Sequence, residues 1–336
     1  MTAAFIDADQ LRLASGVSAS ETELIAAALP TLSRTFSRRD AQVDIVAGLA
    51  DDEAHLRQML PHMPRDRELA VHVDATPETL RGRIHRRGWL IELVDDAVKY
   101  AAELEPSAAD LYLDTTHQTP SQLSDQITAA VLAHAASGPA DPEDAFGVPP
   151  EASGSAEVVV LTGPGGVGVS TIGFQPFMHL AHAGRGVGYL DAHQLGLLGP
   201  SAGSSELAPL RAQNARTVVG TLAAGGAETV VVSGDPHAVR AMEETWDSGP
   251  FTPFWLDASA DALAERITAR AQGGGPPLQG DHRLGLAGAA LDAAIAAAVE
   301  ESRQHHLRPP NAHVVNTTDR EPSETAAAIA AALPWT

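Results

Sequence analysis

The chain has 336 residues, 44% of them hydrophobic, so it can bury a sizeable core and is long enough for two α/β domains. Its formal net charge of -21 and pI near 4.9 argue against a nucleic-acid groove or an anionic membrane surface, because either polyanion would repel it. With no cysteine there are no disulfides, thiol nucleophiles or thiolate zinc sites, and with no long apolar run or secretory leader a soluble cytoplasmic protein is expected.

The first elements to emerge in chain order recur later in the chain. Phe5-Ile-Asp-Ala-Asp-Gln-Leu11 returns as Tyr189-Leu-Asp-Ala-His-Gln-Leu195, and Asp44-Ile-Val-Ala-Gly48 as Val230-Val-Val-Ser-Gly234. Val73-Asp-Ala-Thr-Pro-Glu-Thr-Leu80, with Arg83 and Arg87, returns as Leu256-Asp-Ala-Ser-Ala-Asp-Ala-Leu263, with Arg266 and Arg270. Leu113-Asp-Thr-Thr116 before Pro120-Ser121 returns as Val315-Asn-Thr-Thr318 before Pro322-Ser323. Four blocks kept in one order point to an internal repeat. Residues 137–155 between the copies are rich in proline, glycine and acids, as a linker is. The expected division is therefore 1–136, a linker at 137–155, and 156–336.

In the second copy, Glu157–Thr162 reads as a buried strand, a helix follows Gly168, and Val187–Asp191 reads as the next strand. A helix across Leu210–Leu222, strands at Thr229–Gly234 and Phe251–Asp257, and a helix from Ala260 come next. A glycine- and proline-rich excursion at Gln272–Gly280, another helix, a strand at His313–Asn316 and a helix closing at Leu333 complete it. Continuous apolar runs alternating with helices predict a doubly wound parallel sheet covered on both faces. The first copy begins at its second strand, without first strand, glycine loop or first helix. That leaves open whether the protein starts there or its start lies upstream, and predicts that the neighbouring strands pair directly or keep open edges.

Between the predicted strand and helix lies Gly163-Pro-Gly165-Gly166-Val-Gly168-Val169-Ser170-Thr171, a phosphate-binding loop in every position but one. Glycines let backbone amides converge on phosphate oxygens, the helix N-terminus adds partial positive charge, and the Ser170 hydroxyl can hold Mg. Val169 stands where such a loop keeps lysine, and the chain has a single lysine, Lys99. Losing that charged hydrogen bond removes roughly 1.5-3 kcal/mol of phosphate binding and more in phosphoryl transfer. The same letters satisfy the dinucleotide pattern G-x-G-x-x-G, with Asp191 where a ribose-binding acid would sit. A purely structural glycine turn is the third reading.

On these residues, together with Ala183-Gly-Arg-Gly before residues 189–195, the second copy resembles the P-loop kinases of the nucleoside-monophosphate and gluconate-kinase kind and their actinobacterial ATP-binding relatives. The resemblance implies a tandem P-loop NTPase fold whose first copy is truncated at its N-terminus. It implies ATP and Mg as ligands, with Gly163, Gly165, Gly166, Gly168, Val169, Ser170 and Thr171 at the phosphates and Asp191 at a small-molecule acceptor or the metal. Arg266 and Arg270 would close over the transferred group. Three departures crowd this site: Val169 for lysine, His193 for the acid kept at Asp9, and Pro176, expected to interrupt the helix. They imply a weak or inactive phosphotransferase, with a non-catalytic scaffold as the competing class. Duller roles remain for each residue: Asp7 and Asp191 as helix caps, Arg266 and Arg270 on a solvated face. The histidine pairs 179/182, 305/306 and 55/62 lack an acidic third ligand placed by spacing, and surface histidines account for them better than metal does.

Overall fold

The 1–48 stretch begins with strand β1 (Ala3–Asp7), a short helix α1 (Asp9–Arg12) and strand β2 (Ala14–Ser15). Helix α2 (Glu21–Ser37) follows a capping box in which Ser20 and Glu23 satisfy each other's backbone amides, and strand β3 (Val43–Ala47) comes next. The structure, a computed structural model, describes residues 1–61, 63–88, 91–104, 109–137, 154–199, 204–275 and 281–333. Most of the expected linker, 138–153, lies outside these residues, as do 276–280 of the glycine- and proline-rich excursion and His62 of one histidine pair.

Next come helix α3 (Glu53–Met59), strand β4 (Val71–Asp74), helices α4 (Pro77–Arg87) and α5 (Val94–Glu103), strand β5 (Leu111–Asp114) and helix α6 (Pro120–Ser137). The remainder alternates as expected: strand β6 (Glu157–Thr162), helix α7 (Val169–His182), strands β7 (Val187–Asp191) and β8 (Leu197–Gly199), and helix α8 (Ser204–Ala224). Strand β9 (Thr229–Ser233), helix α9 (Pro236–Glu244), strand β10 (Phe251–Asp257), helices α10 (Ala260–Ala271) and α11 (Gly288–Arg303), strand β11 (His313–Asn316) and helix α12 (Pro322–Ala331) close the chain. No helix of the described residues is long and apolar enough to cross a membrane.

Contacts divide the chain into one compact unit of residues 1–48 and 149–336 and another of residues 49–148. These units cut across the sequence repeat, and the strand pairing explains why. In the first unit, β11, β10, β6, β9, β7 and β2 form one six-stranded sheet in that order, parallel except for β2. Its strand β6 bonds β9 on one side and β10 on the other, and Val158–Leu161 are wholly buried. The corresponding strands of the first copy have no such connector among the described residues: β3 pairs only with β1, and β4 only with β5. On β3, Ile45 and Val46 are 41% and 40% exposed.

The sequence-matched segments make matching bonds. β1 pairs with β3 as β7 pairs with β9, Asp7 opposite Ala47 and Asp191 opposite Ser233. The amides of Ala8 and Ala192 then bond the carbonyls of Ala47 and Ser233, and the amides of Asp9 and His193 bond the Oδ1 atoms of Asp7 and Asp191. In β4–β5 and in β10–β11, Arg83 and Arg266 each grip a threonine, Thr115 or Thr317, through its hydroxyl and its carbonyl. Within the first unit the segments 1–48 and 154–336 also exchange short strands. β2 runs antiparallel on β7, Ala14 opposite Gly188 and Ser15 opposite Val187, and β8 runs antiparallel on β1, Leu198 opposite Ala4 and Gly199 opposite Ala3. Helices α2 and α8 pack together beside this exchange.

Candidate functional site

β6 delivers its chain into the glycine loop at the carboxyl end of the sheet's interior, the place where open α/β sheets bind ligands. The loop stays close to the sheet: a side chain at Gly163 would come within 2.4 Å of the Leu256 carbonyl of β10. Gly168 turns the chain into α7 with φ of 99°, a left-handed conformation that favours glycine, and no side chain caps the helix. The amides of Gly166, Gly168, Val169 and Ser170 have no hydrogen-bond partner among the described residues. A helix start with several free donors is the kind of place where an anion is favoured.

Val169 is half-buried against the apolar cluster that includes Val159, Leu161, Ile172 and Phe177. Ser170 donates from Oγ to Asp191 Oδ2 at 2.6 Å, and Thr171 is half-buried in the same turn. The Asp191 side chain also caps the amide of His193, and the Asp191 amide donates to Gln10 Oε1 of α1 at 3.1 Å. Burial raises the Asp191 pKa, the Ser170 and His193 bonds oppose that rise, and nearby Asp235 adds to it. His193 is pushed down to about 4, chiefly by burial and then by Arg211, so its imidazole is neutral at ordinary pH.

Pro176 does not interrupt α7. The helix runs through it from Val169 to His182, with Pro176 buried, so the expected break is corrected. Tertiary packing holds the turn where propensity alone would end it. Gly173 lets the helix press on β9, where a side chain would meet Ser233 Oγ at 2.1 Å. Ser233 and Tyr189 hydroxyls donate to the carbonyls of Val169 and Ser170 at 3.3 Å, fixing the first turn from beneath.

The two arginines carried over from the resemblance are engaged with the protein. Arg266 donates to the carbonyl of loop residue Val167 at 3.2 Å as well as to Thr317, and so clamps the loop to β11. Arg270 pairs with Asp281 at 2.5 Å and bonds the Gly274 carbonyl, tying the two ends of the glycine- and proline-rich excursion.

A third arginine, unmarked in the sequence reading, lies over the loop. A methyl group at Gly165 would stand 2.4 Å from Arg283 Nη2. The Arg283 guanidinium has no hydrogen bond or ion pair among the described residues, and its pKa is lowered, mainly by burial. Around it are His282, whose ring centre is 6.4 Å from that of His193, and Glu301 of α11, whose Oε2 accepts the Gly165 amide at 2.7 Å. Buried Arg211 pairs with Asp235, the N-cap of α9, at 2.9 Å. The Ser233-Gly-Asp235 turn at a strand end and Asp281-His-Arg283 after the excursion are the signals that would have found them. No group of three or more His, Asp or Glu among the described residues is placed to hold a metal ion. No protein-family model matches the chain, and no curated protein matches it.

Proposed function

We propose that the loop 163–171 binds the phosphates of a nucleotide such as ATP together with Mg, and that any phosphoryl transfer to a small-molecule acceptor is weak or lost. The observation that carries this reading is the half-buried Arg283 guanidinium, which makes no hydrogen bond or ion pair among the described residues, beside a cradle of free amides. A guanidinium partly withdrawn from water with its donors free matches an anionic ligand in both charge and hydrogen bonding. Arg283 also supplies, from across the loop, the positive charge that Val169 does not.

Ser170 and Asp191 suit Mg by donor type: a hydroxyl and a carboxylate oxygen 2.6 Å apart, to be completed by phosphate oxygens and water. When bound, the metal would neutralise phosphate charge. The same contact weakens the dinucleotide reading, since a buried carboxylate already bonded to Ser170 and the His193 amide is poorly placed to meet a ribose hydroxyl. We also infer that the two halves are copies of one ancestral P-loop unit, supported by their matching hydrogen bonds and strand registers.

Titration of the purified chain with a fluorescent ATP analogue and Mg tests the binding claim. Saturable binding is expected, weakened on the order of tenfold or more by Arg283→Ala, since a charge-assisted hydrogen bond is lost. Absence of saturable binding in the parent protein overturns the reading and leaves the scaffold class. Val169→Lys separates enzyme from binder: a rise in nucleotide hydrolysis or transfer marks a degenerate kinase, and an unchanged null rate marks a binding module.

A further inference from the structure

Glu301 reaches the loop from α11, whose only fully buried residue is Ala298 and whose start has no side-chain cap. Its Oε2 accepts the Gly165 amide and stands 3.7 Å from where a Gly165 side chain would begin, while Arg283 Nη2 stands 2.4 Å from the same point. A carboxylate and a guanidinium thus meet the loop at one residue. The carboxylate presents to the amide the kind of oxygen a phosphate would present, and the helix N-terminus attracts either anion.

Resting on the nucleotide-site reading, we propose that Glu301 is a tethered anion that competes with phosphate for the loop, so that a ligand must displace its carboxylate from the Gly165 amide before it can settle against Arg283. Displacing it is cheap for the fold, since among the described residues the Gly165 amide is the one hydrogen bond of the Glu301 side chain and α11 buries little. For the ligand it is costly while the carboxylate is charged, because a second anion then enters beside the first. Asp235 at the start of α9 adds to that repulsion, whereas His237 of the same helix and Arg283 oppose it.

The groups facing Glu301 set the direction of the pH effect. Burial raises its pKa most, the Gly165 amide bond opposes the rise, Asp235 adds to it, and His237 and Arg283 reduce it. A raised carboxyl takes up its proton at higher pH than a free one. Falling pH therefore neutralises the competitor and tightens anion binding, and rising pH restores it.

Sulfate is the suitable probe, since it remains a dianion throughout the range and does not itself titrate. Calorimetric titration with sulfate, and separately with pyrophosphate, is done on the full chain from about pH 5 to pH 8. The parent protein is expected to bind more tightly as pH falls. Glu301→Gln is expected to bind on the order of tenfold more tightly at the alkaline end and to lose most of the pH dependence, with Glu301→Ala as the variant that leaves no acceptor at all. His282, His237 and Asp235 are present in parent and variants alike, so the difference between the profiles belongs to Glu301. Parallel profiles of equal strength overturn the competition while leaving the anion site in place. No binding by parent or variants at any pH overturns the site itself.

Discussion

Asp191 is a carboxylate wholly buried at the end of β7, held by Ser170, the His193 amide and, through its own amide, Gln10. Because burial raises its pKa, the charged form is strained in the folded state at neutral pH. The penalty is present above the folded pKa and disappears as pH falls through that value toward the unfolded one. Asp191→Asn should therefore raise the melting temperature at pH 7, by roughly 2-4 °C if about 1 kcal/mol is recovered, with the gain vanishing near pH 3. Thermal melts of both proteins across that pH range check it, and a gain that persists in acid would assign the effect to packing instead. If the site binds Mg, the same variant should bind nucleotide more weakly, the trade expected where a strained group serves a ligand.

At the scale of elements, Arg266 is better described as a clamp than as a lid. Its guanidinium bonds the Val167 carbonyl of the loop, the Thr317 hydroxyl and the Thr317 carbonyl, so three acceptors lose their donor if it goes. Arg266→Ala should cost about 2-3 kcal/mol in urea unfolding. A phosphate-closing arginine would instead leave unfolding unchanged and lower nucleotide affinity alone. The strands around this clamp were legible because β6, β9 and β10 are covered on both faces and read as unbroken apolar runs such as Val158-Val-Val-Leu161. The glycine loop was legible because backbone approach to an anion demands glycine at fixed spacing. Glu301 was not, since nothing local marks it, and Arg283 had only the Asp281-His-Arg283 cluster to point to it: both reach the loop from a segment more than a hundred residues downstream, the Gly165–Glu301 separation being 136. Pro176 does not end α7, because the helix is pinned along its length by Ile172, Phe177 and Leu180 in the core. β2 and β8 escaped notice because two or three small or aliphatic residues carry no periodicity, and their partners lie far away in sequence.

For the whole molecule, that strand exchange has the form of a dimer interface written into one chain. β2 on β7 and β8 on β1 use equivalent residues in equivalent register, and α2 lies against α8, which is how two identical partners meet across a two-fold axis. Residues 154–336 expressed alone would lose β2 from the edge of β7 and the cover of α2, which packs on α8 and brings Leu24 to Gly225. Each buried aliphatic side chain left uncovered costs about 1.5-3 kcal/mol, and the bare β7 edge offers unpaired backbone groups to another chain. On the proposed duplication, a second fragment can meet both needs, since its β8 matches β2 and its α8 stands in for α2. The fragment should therefore sediment as a symmetric dimer at micromolar concentration, and Leu198→Pro, which removes a ladder donor and rigidifies β8, should shift it toward monomer or aggregate. A fragment that stays monomeric with an undiminished melting temperature would show that the two halves are not equivalent partners, and the duplication would fail with it.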